Sequence, residues 1–176
     1  MHQNPDVTSP VPLEPAASRQ VVGNECICEA VRLCQSDSEF LEHLRHIYSD
    51  VDDAIGRLGP ICLGGGACCR FDLAAHRLYL STGDLALLAQ RQSAALKPRV
   101  GRCAYQIGPR CTARENRPRG CRTHFCNTPT SSALTEIYEN NHARIRHLHG
   151  SRTLPYQYIE LTSALRRLLG RSAGTF

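Results

Sequence analysis

The stretch SDSEFLEHLRHIYSDVDDAIGRLGPICLGGGACC, residues 36–69, changes character halfway along. Its first part repeats apolar residues at three- and four-residue steps: Phe40, Leu44, Ile47, Val51, Ile55 and Leu58. That is the period of one face of an α-helix. Ser36 and Glu39 have the spacing of a capping box and predict where the helix starts. Gly59 and Pro60 predict where it stops, since glycine adopts left-handed backbone at little cost and proline cannot continue the helical ladder. The second part has no period, and Leu63-Gly64-Gly65-Gly66-Ala67 reads as a pliable loop between Cys62 and the adjacent pair Cys68 and Cys69. A helix with one face to bury, running into a thiol-bearing loop, predicts a mainly α fold: a small helical domain around an irregular cysteine-rich metal-binding centre.

Working outward, residues 25–33 suit a short helix before the long one. Residues 1–22 hold Pro5, Pro10, Pro12 and Pro15, contain no apolar stretch like a signal-peptide core, and are expected to form a disordered tail. Downstream, RLYLS at residues 77–81 suits a short extended piece. Ser81-Thr82-Gly83-Asp84 then looks like a second helix start, with Leu85, Leu88 and Ala89 on one face. Residues 99–130 are rich in Arg, Gly, Pro and Cys, show little periodicity, and are expected to be loops organised by a metal and poorly ordered without it. Leu134, Tyr138, Ile145 and Leu148 trace a helix up to Gly150. Tyr158, Leu161, Leu165 and Leu168 trace another up to Gly170, with Pro155 between them. At 176 residues the chain suits one domain. It is expected over residues 23–176, with helices at 23–58, the cysteine cluster at 59–130 and further helices at 131–176.

Seven of the ten cysteines fall in one stretch: Cys62, Cys68, Cys69, Cys103, Cys111, Cys121 and Cys126. Gathered thiols with no export signal argue for a metal site in reducing cytoplasm rather than for disulfides. No run approaches the roughly 18 apolar residues of a membrane span, so no membrane is expected as a partner. The spacing lacks the paired C-x2-C turns of zinc ribbons and the closely spaced run of bacterial ferredoxins, and so points to a thiolate centre without naming the metal. Seven thiols exceed the four that one tetrahedral zinc or one four-iron cluster needs. Adjacent residues rarely serve one small ion together, which leaves Cys68 or Cys69 free for another role. Cys26, Cys28 and Cys34 lie far from the cluster in sequence and are expected to be ordinary buried or surface thiols.

The formal net charge is +5, and residues 91–152 carry twelve Lys or Arg against three acids. A basic face of this kind attracts anions, nucleic acid among them. No aromatic residue alternates with the arginines as base stacking requires, which argues against nucleic acid as a partner and leaves any protein partner unnamed. The arginines are expected chiefly to offset thiolate charge and solvate helices.

Three segments, CLGGGACC (62–69), LYLSTGDLALLA (78–89) and GRCAYQIGPRCTARENRPRGCR (101–122), give the chain a resemblance to the YkgJ-type cysteine-cluster family, described as a zinc- or iron-chelating domain. Its most specific part is the ordered series Cys103, Cys111, Arg117-Pro118 and Cys121-Arg122. The family's opening motif is C-x2-C-x2-CC, and this chain departs from it with Gly65 at the second position, leaving Cys126 to compensate. The flagellin lysine methylases resemble that family in their cysteines and are associated with an iron-sulfur cluster, so the resemblance implies an iron-sulfur cluster or iron ahead of zinc.

Other side chains suit the same chemistry. Arg117, Arg119 and above all Arg122 suit hydrogen bonds to thiolate or sulfide. His124, between Cys121 and Cys126, suits a mixed ligand set. His142, His147 and His149 are expected on a solvated helix face. No phosphate loop, dinucleotide fingerprint, H-E-x-x-H or G-x-S-x-G is present in the sequence. The expected function is that of a metal-binding protein in electron transfer, sensing or metal handling, the alternatives being a structural zinc-binding interaction module or a metal-dependent protein-modifying enzyme.

Overall fold

The structure, a computed structural model, describes residues 24–74, 76–91, 96–125 and 132–170. The expected tail and Cys126 lie outside the described residues. The described part is mainly helical, with seven α-helices, two single turns of 3-10 helix and four short strands.

The helix read from the apolar period is α2 (Ser38–Leu58), which follows α1 (Asn24–Ser36). It buries Phe40, Leu41, Leu44, Ile47, Tyr48, Val51 and Ile55. Each such side chain removed from water contributes on the order of 2 kcal/mol. Gly59 closes α2 in left-handed backbone, φ 65°, as expected. The N-cap differs from the expected one. Ser36 belongs to α1, and the Asp37 carboxylate caps α2 by accepting from the Phe40 amide at 2.9 Å. Asp37 wins because a carboxylate is the stronger acceptor there, favoured by the helix dipole and also held by Arg152 at 2.5 Å.

After α3 (Phe71–Ala74) and β1 (Tyr79–Ser81), the second capped helix is α4 (Thr82–Ala89). Ser81 and Asp84 form the capping box read from sequence. The expectation of a single apolar face fails, because every residue of α4 is buried. It is the central helix, with α1 packed along it. Three side chains from other segments accordingly complete its C-terminal carbonyls: Gln35 on Ala86, Asn116 on Leu87 and Tyr105 on Leu88, at 3.0, 2.9 and 3.2 Å.

A hairpin of β2 (Gln106–Ile107) and β3 (Arg110–Cys111) and the short helix α5 (Arg119–Arg122) punctuate a largely irregular stretch, as the composition of residues 99–130 predicts. The helix α6 (Ser132–Ser151) packs on α2. Tyr158, expected on the last helix, stands instead in β4 (Tyr158–Glu160), which pairs antiparallel with β1 in the register Tyr79↔Glu160. The helix α7 (Leu161–Gly170) begins only after it. Pairing with β1 overrides the helical spacing, and the Glu160 carboxylate accepts from the Thr162 and Ser163 amides, both at 2.8–2.9 Å, to start α7.

Candidate functional site

The local folding that gathers the cysteines is mostly backbone chemistry. Cys68 and Cys69 sit on a 3-10 turn, Ala67–Cys69. The Cys103 amide donates to the Cys69 carbonyl at 3.0 Å and the Asp72 amide to the Gly101 carbonyl at 2.9 Å, so two distant segments run side by side. The β2–β3 hairpin places Cys111 opposite Gln106, whose side-chain amide donates to the Gly66 carbonyl at 2.8 Å and ties the hairpin to the glycine loop. Cys121 rides on α5.

Helix α5 is anchored from beneath by Asp84, which is 0 % exposed. This carboxylate accepts from Tyr48 Oη at 2.5 Å, from Ser81 N at 2.8 Å and Oγ at 2.7 Å, and from the Arg119 amide at 3.4 Å. Two guanidiniums from α5 flank that network. Arg119, also 0 % exposed, lies 4.3 Å over the Tyr138 ring, and Arg122 lies 4.5 Å over the Tyr48 ring. Arg122 also pairs with Asp52 and donates to the carbonyls of Arg117 and Glu115. Neither arginine therefore serves the thiols as the sequence suggested. Both brace the segment that carries Cys121, while Arg117 is the one that stands by the Cys121 thiol.

Six cysteines, Cys62, Cys68, Cys69, Cys103, Cys111 and Cys121, line one cavity of about 540 Å³. Both members of the adjacent pair line it, the 3-10 turn setting neighbouring side chains about 120° apart rather than on opposite faces as a strand does. All six are free thiols. Cys69 hydrogen-bonds with Cys103 and Cys68. The bond with Cys103, reinforced by burial, pushes the Cys69 thiol up to about 12. Burial raises Cys121 as well, with Cys69 and Cys111 adding to it through their charge when ionised. The raised Cys69 and Cys121 thiols keep their protons in the absence of a cation, and Cys62 is exposed at the rim.

Thiols suit zinc, iron and iron-sulfur clusters, and on donor chemistry the six fit such a group. No three His, Cys, Asp or Glu side chains among the described residues form a group positioned to hold one metal ion. Closing on a single tetrahedral ion, about 2.3 Å from each sulfur, requires side-chain rotation.

Sequence reasoning missed His76, whose ring stacks on His124 at 4.6 Å, both lining the cavity. Nothing in its spacing relative to the cysteines signals this. The expected solvated face of α6 is also corrected. His147 is exposed and His142 half-buried, but His149 is fully buried between Phe40 and Tyr156 and accepts from the Gly83 amide at 3.2 Å. Cys34 is buried, with its thiol pushed up to about 12 by burial and Asp37, and Cys28 donates to the Arg167 carbonyl at 3.7 Å. Neither lines the cavity. No helix among the described residues is long and apolar enough to cross a membrane. No known protein family, curated protein or solved structure matches this chain.

Proposed function

We propose that this cavity holds a cysteine-ligated metal centre, an iron-sulfur cluster or iron ahead of zinc, and that the protein serves electron transfer, sensing or metal handling in the cytoplasm. The observation that carries the reading is the convergence of six free thiols from separate segments on one cavity. The resemblance to the YkgJ-type cysteine-cluster family supports it. Cys69, Cys103, Cys111 and Cys121 are the first choice as ligands, with Cys62, Cys68 and Cys126 next. Bound there, a cluster would supply a one-electron site, and the chain's part is to supply thiolates, place Arg117 beside Cys121 and exclude water with Leu78, Leu88 and Leu161.

The test is to purify the protein without oxygen and measure iron, zinc, acid-labile sulfide and visible absorption. Iron with matching sulfide and a brown colour is expected. A colourless protein with stoichiometric zinc would instead support the structural zinc module, and a protein without metal would end the reading. Cys121→Ser should lower bound metal and increase protease cleavage within residues 99–125, since metal binding contributes folding free energy, whereas Cys28→Ser should do neither. A second reading, a metal-dependent enzyme acting on another molecule, is favoured by the cavity's size, which lies within the range of small-molecule sites.

A further inference from the structure

The wall of the thiol cavity carries arginine but no carboxylate. Arg110, Arg114 and Arg117 line it, and no Asp or Glu does so among the described residues. Arg110 projects from the tip of the β2–β3 hairpin, and Arg114 and Arg117 follow on the segment leading into α5. Elsewhere Arg70, Arg91, Arg122, Arg144 and Arg152 are paired with carboxylates. Among the described residues, Arg110 and Arg114 have neither an ion pair nor a hydrogen bond from their guanidiniums. Arg117 spends only its Nε, on the Arg114 carbonyl at 3.1 Å.

Three arginines line a cavity that also carries the apolar side chains of Phe71, Leu78, Leu88 and Leu161 beside its thiols, and so supply a few polar groups to a partly apolar enclosure. That is how a small-molecule site is built. A guanidinium matches a carboxylate or phosphate with two parallel charge-assisted hydrogen bonds. The field of three such groups, with no carboxylate among the cavity's lining residues, favours an anion over a neutral ligand beside them. We propose that the arginine side of the cavity binds the carboxylate or phosphate group of a small molecule, holding the rest of that molecule against the thiols. The proposal deepens the metal-centre reading and rests on it for the chemistry that follows binding, though the binding itself needs only the arginines and the cavity. If the arginines did no more than offset thiolate charge, no saturable anion site would exist.

The experiment is calorimetric titration of the full chain, prepared without oxygen and with its metal content measured, against inorganic phosphate and against succinate. One-to-one saturable binding of at least one probe is expected. Arg110→Gln/Arg114→Gln, both at exposed positions, should weaken it at least about tenfold with metal content unchanged, while Arg166→Gln, exposed on α7 and outside the cavity's lining, should bind as the parent does. Whichever probe binds more tightly identifies the group. Absence of saturable binding by both, or equal weakening by Arg166→Gln, overturns the site. Arginine-dependent binding to a chain that carries no metal would leave the anion site standing and remove the metal reading. A metal-loaded chain that binds neither probe would do the reverse.

Discussion

The helical frame and the thiol-bearing segments are held by different forces. Helices α1, α2, α4 and α7 share a continuous core in which Phe40, Leu44, Leu85 and Leu165 are buried almost completely. The segments bearing the cysteines bury few large apolar side chains of their own and depend on backbone pairing between residues 69–72 and 101–103, the hairpin, and the Asp84 network beneath α5. Apolar burial tolerates repacking, but a buried charged network depends on each member having its partner. The frame should therefore respond in a graded way to substitution and the site's supports abruptly.

Asp84→Ala is the sharpest test of that difference. It removes the acceptor for Tyr48, Ser81 and the Arg119 amide, together with the buried negative charge that favours the Arg119 guanidinium, which has no hydrogen-bond partner of its own. A loss of about 3–5 kcal/mol is expected in urea unfolding, because several buried donors lose their acceptor at once and the nearby guanidinium loses its facing charge. A loss under about 1 kcal/mol would show that the network is not what fixes α5. Leu44→Ala should cost about 3 kcal/mol through the cavity it leaves in the frame. Metal bound per folded molecule should stay unchanged, since Leu44 does not line the thiol cavity. If the folded variant lost metal, frame and site would not be separable.

What was legible in the sequence divides along the same line. The apolar period of α2 and the Ser81 and Asp84 cap of α4 are local patterns, and both elements appear where they were read. The β1–β4 pairing joins residues some 80 positions apart, and no local signal opposes the helical spacing that begins at Tyr158. In the site, composition alone picked out the cysteines, six of which meet at one cavity. The roles of the arginines could not be read that way. Arg117, Arg119 and Arg122 are nearly adjacent in sequence, and only the position of Asp84 and Asp52 beneath α5 determines which two turn inward and which one reaches the thiols.

His149 offers a test of the frame by pH. Burial holds its imidazole down to about 4, against an ordinary value near 6.5, so the folded chain keeps it neutral where the unfolded chain takes up a proton. Its contribution is complete above about pH 6.5 and is lost at about 1.4 kcal/mol per pH unit as the pH falls toward 4. Unfolding of the parent and of His149→Gln, compared between pH 7 and pH 5, should show the parent losing more stability on acidification. Equal losses would mean that the imidazole is not kept neutral by the fold.

The smallest expected effect lies in the glycine loop, where two positions separate backbone strain from close approach. Gly64 and Gly66 both have left-handed backbone, φ 67° and 71°, and an alanine at either meets the steric cost of that region, about 1 kcal/mol. A Cβ at position 64 meets nothing within 4 Å. At position 66 it comes within 2.5 Å of Gln106 Nε2 and 2.7 Å of the Pro109 carbonyl oxygen. The glutamine can swing away, at the loss of its bond to the Gly66 carbonyl, but the proline carbonyl belongs to the hairpin that carries Cys111 and can yield only if the hairpin moves. Gly64→Ala should therefore cost about 1 kcal/mol and leave bound metal unchanged. Gly66→Ala should cost about 2 kcal/mol or more and lower bound metal, because Cys111 is displaced from the other thiols. Equal behaviour of the two variants in unfolding and in metal content would mean that the contact between loop and hairpin does not position the site.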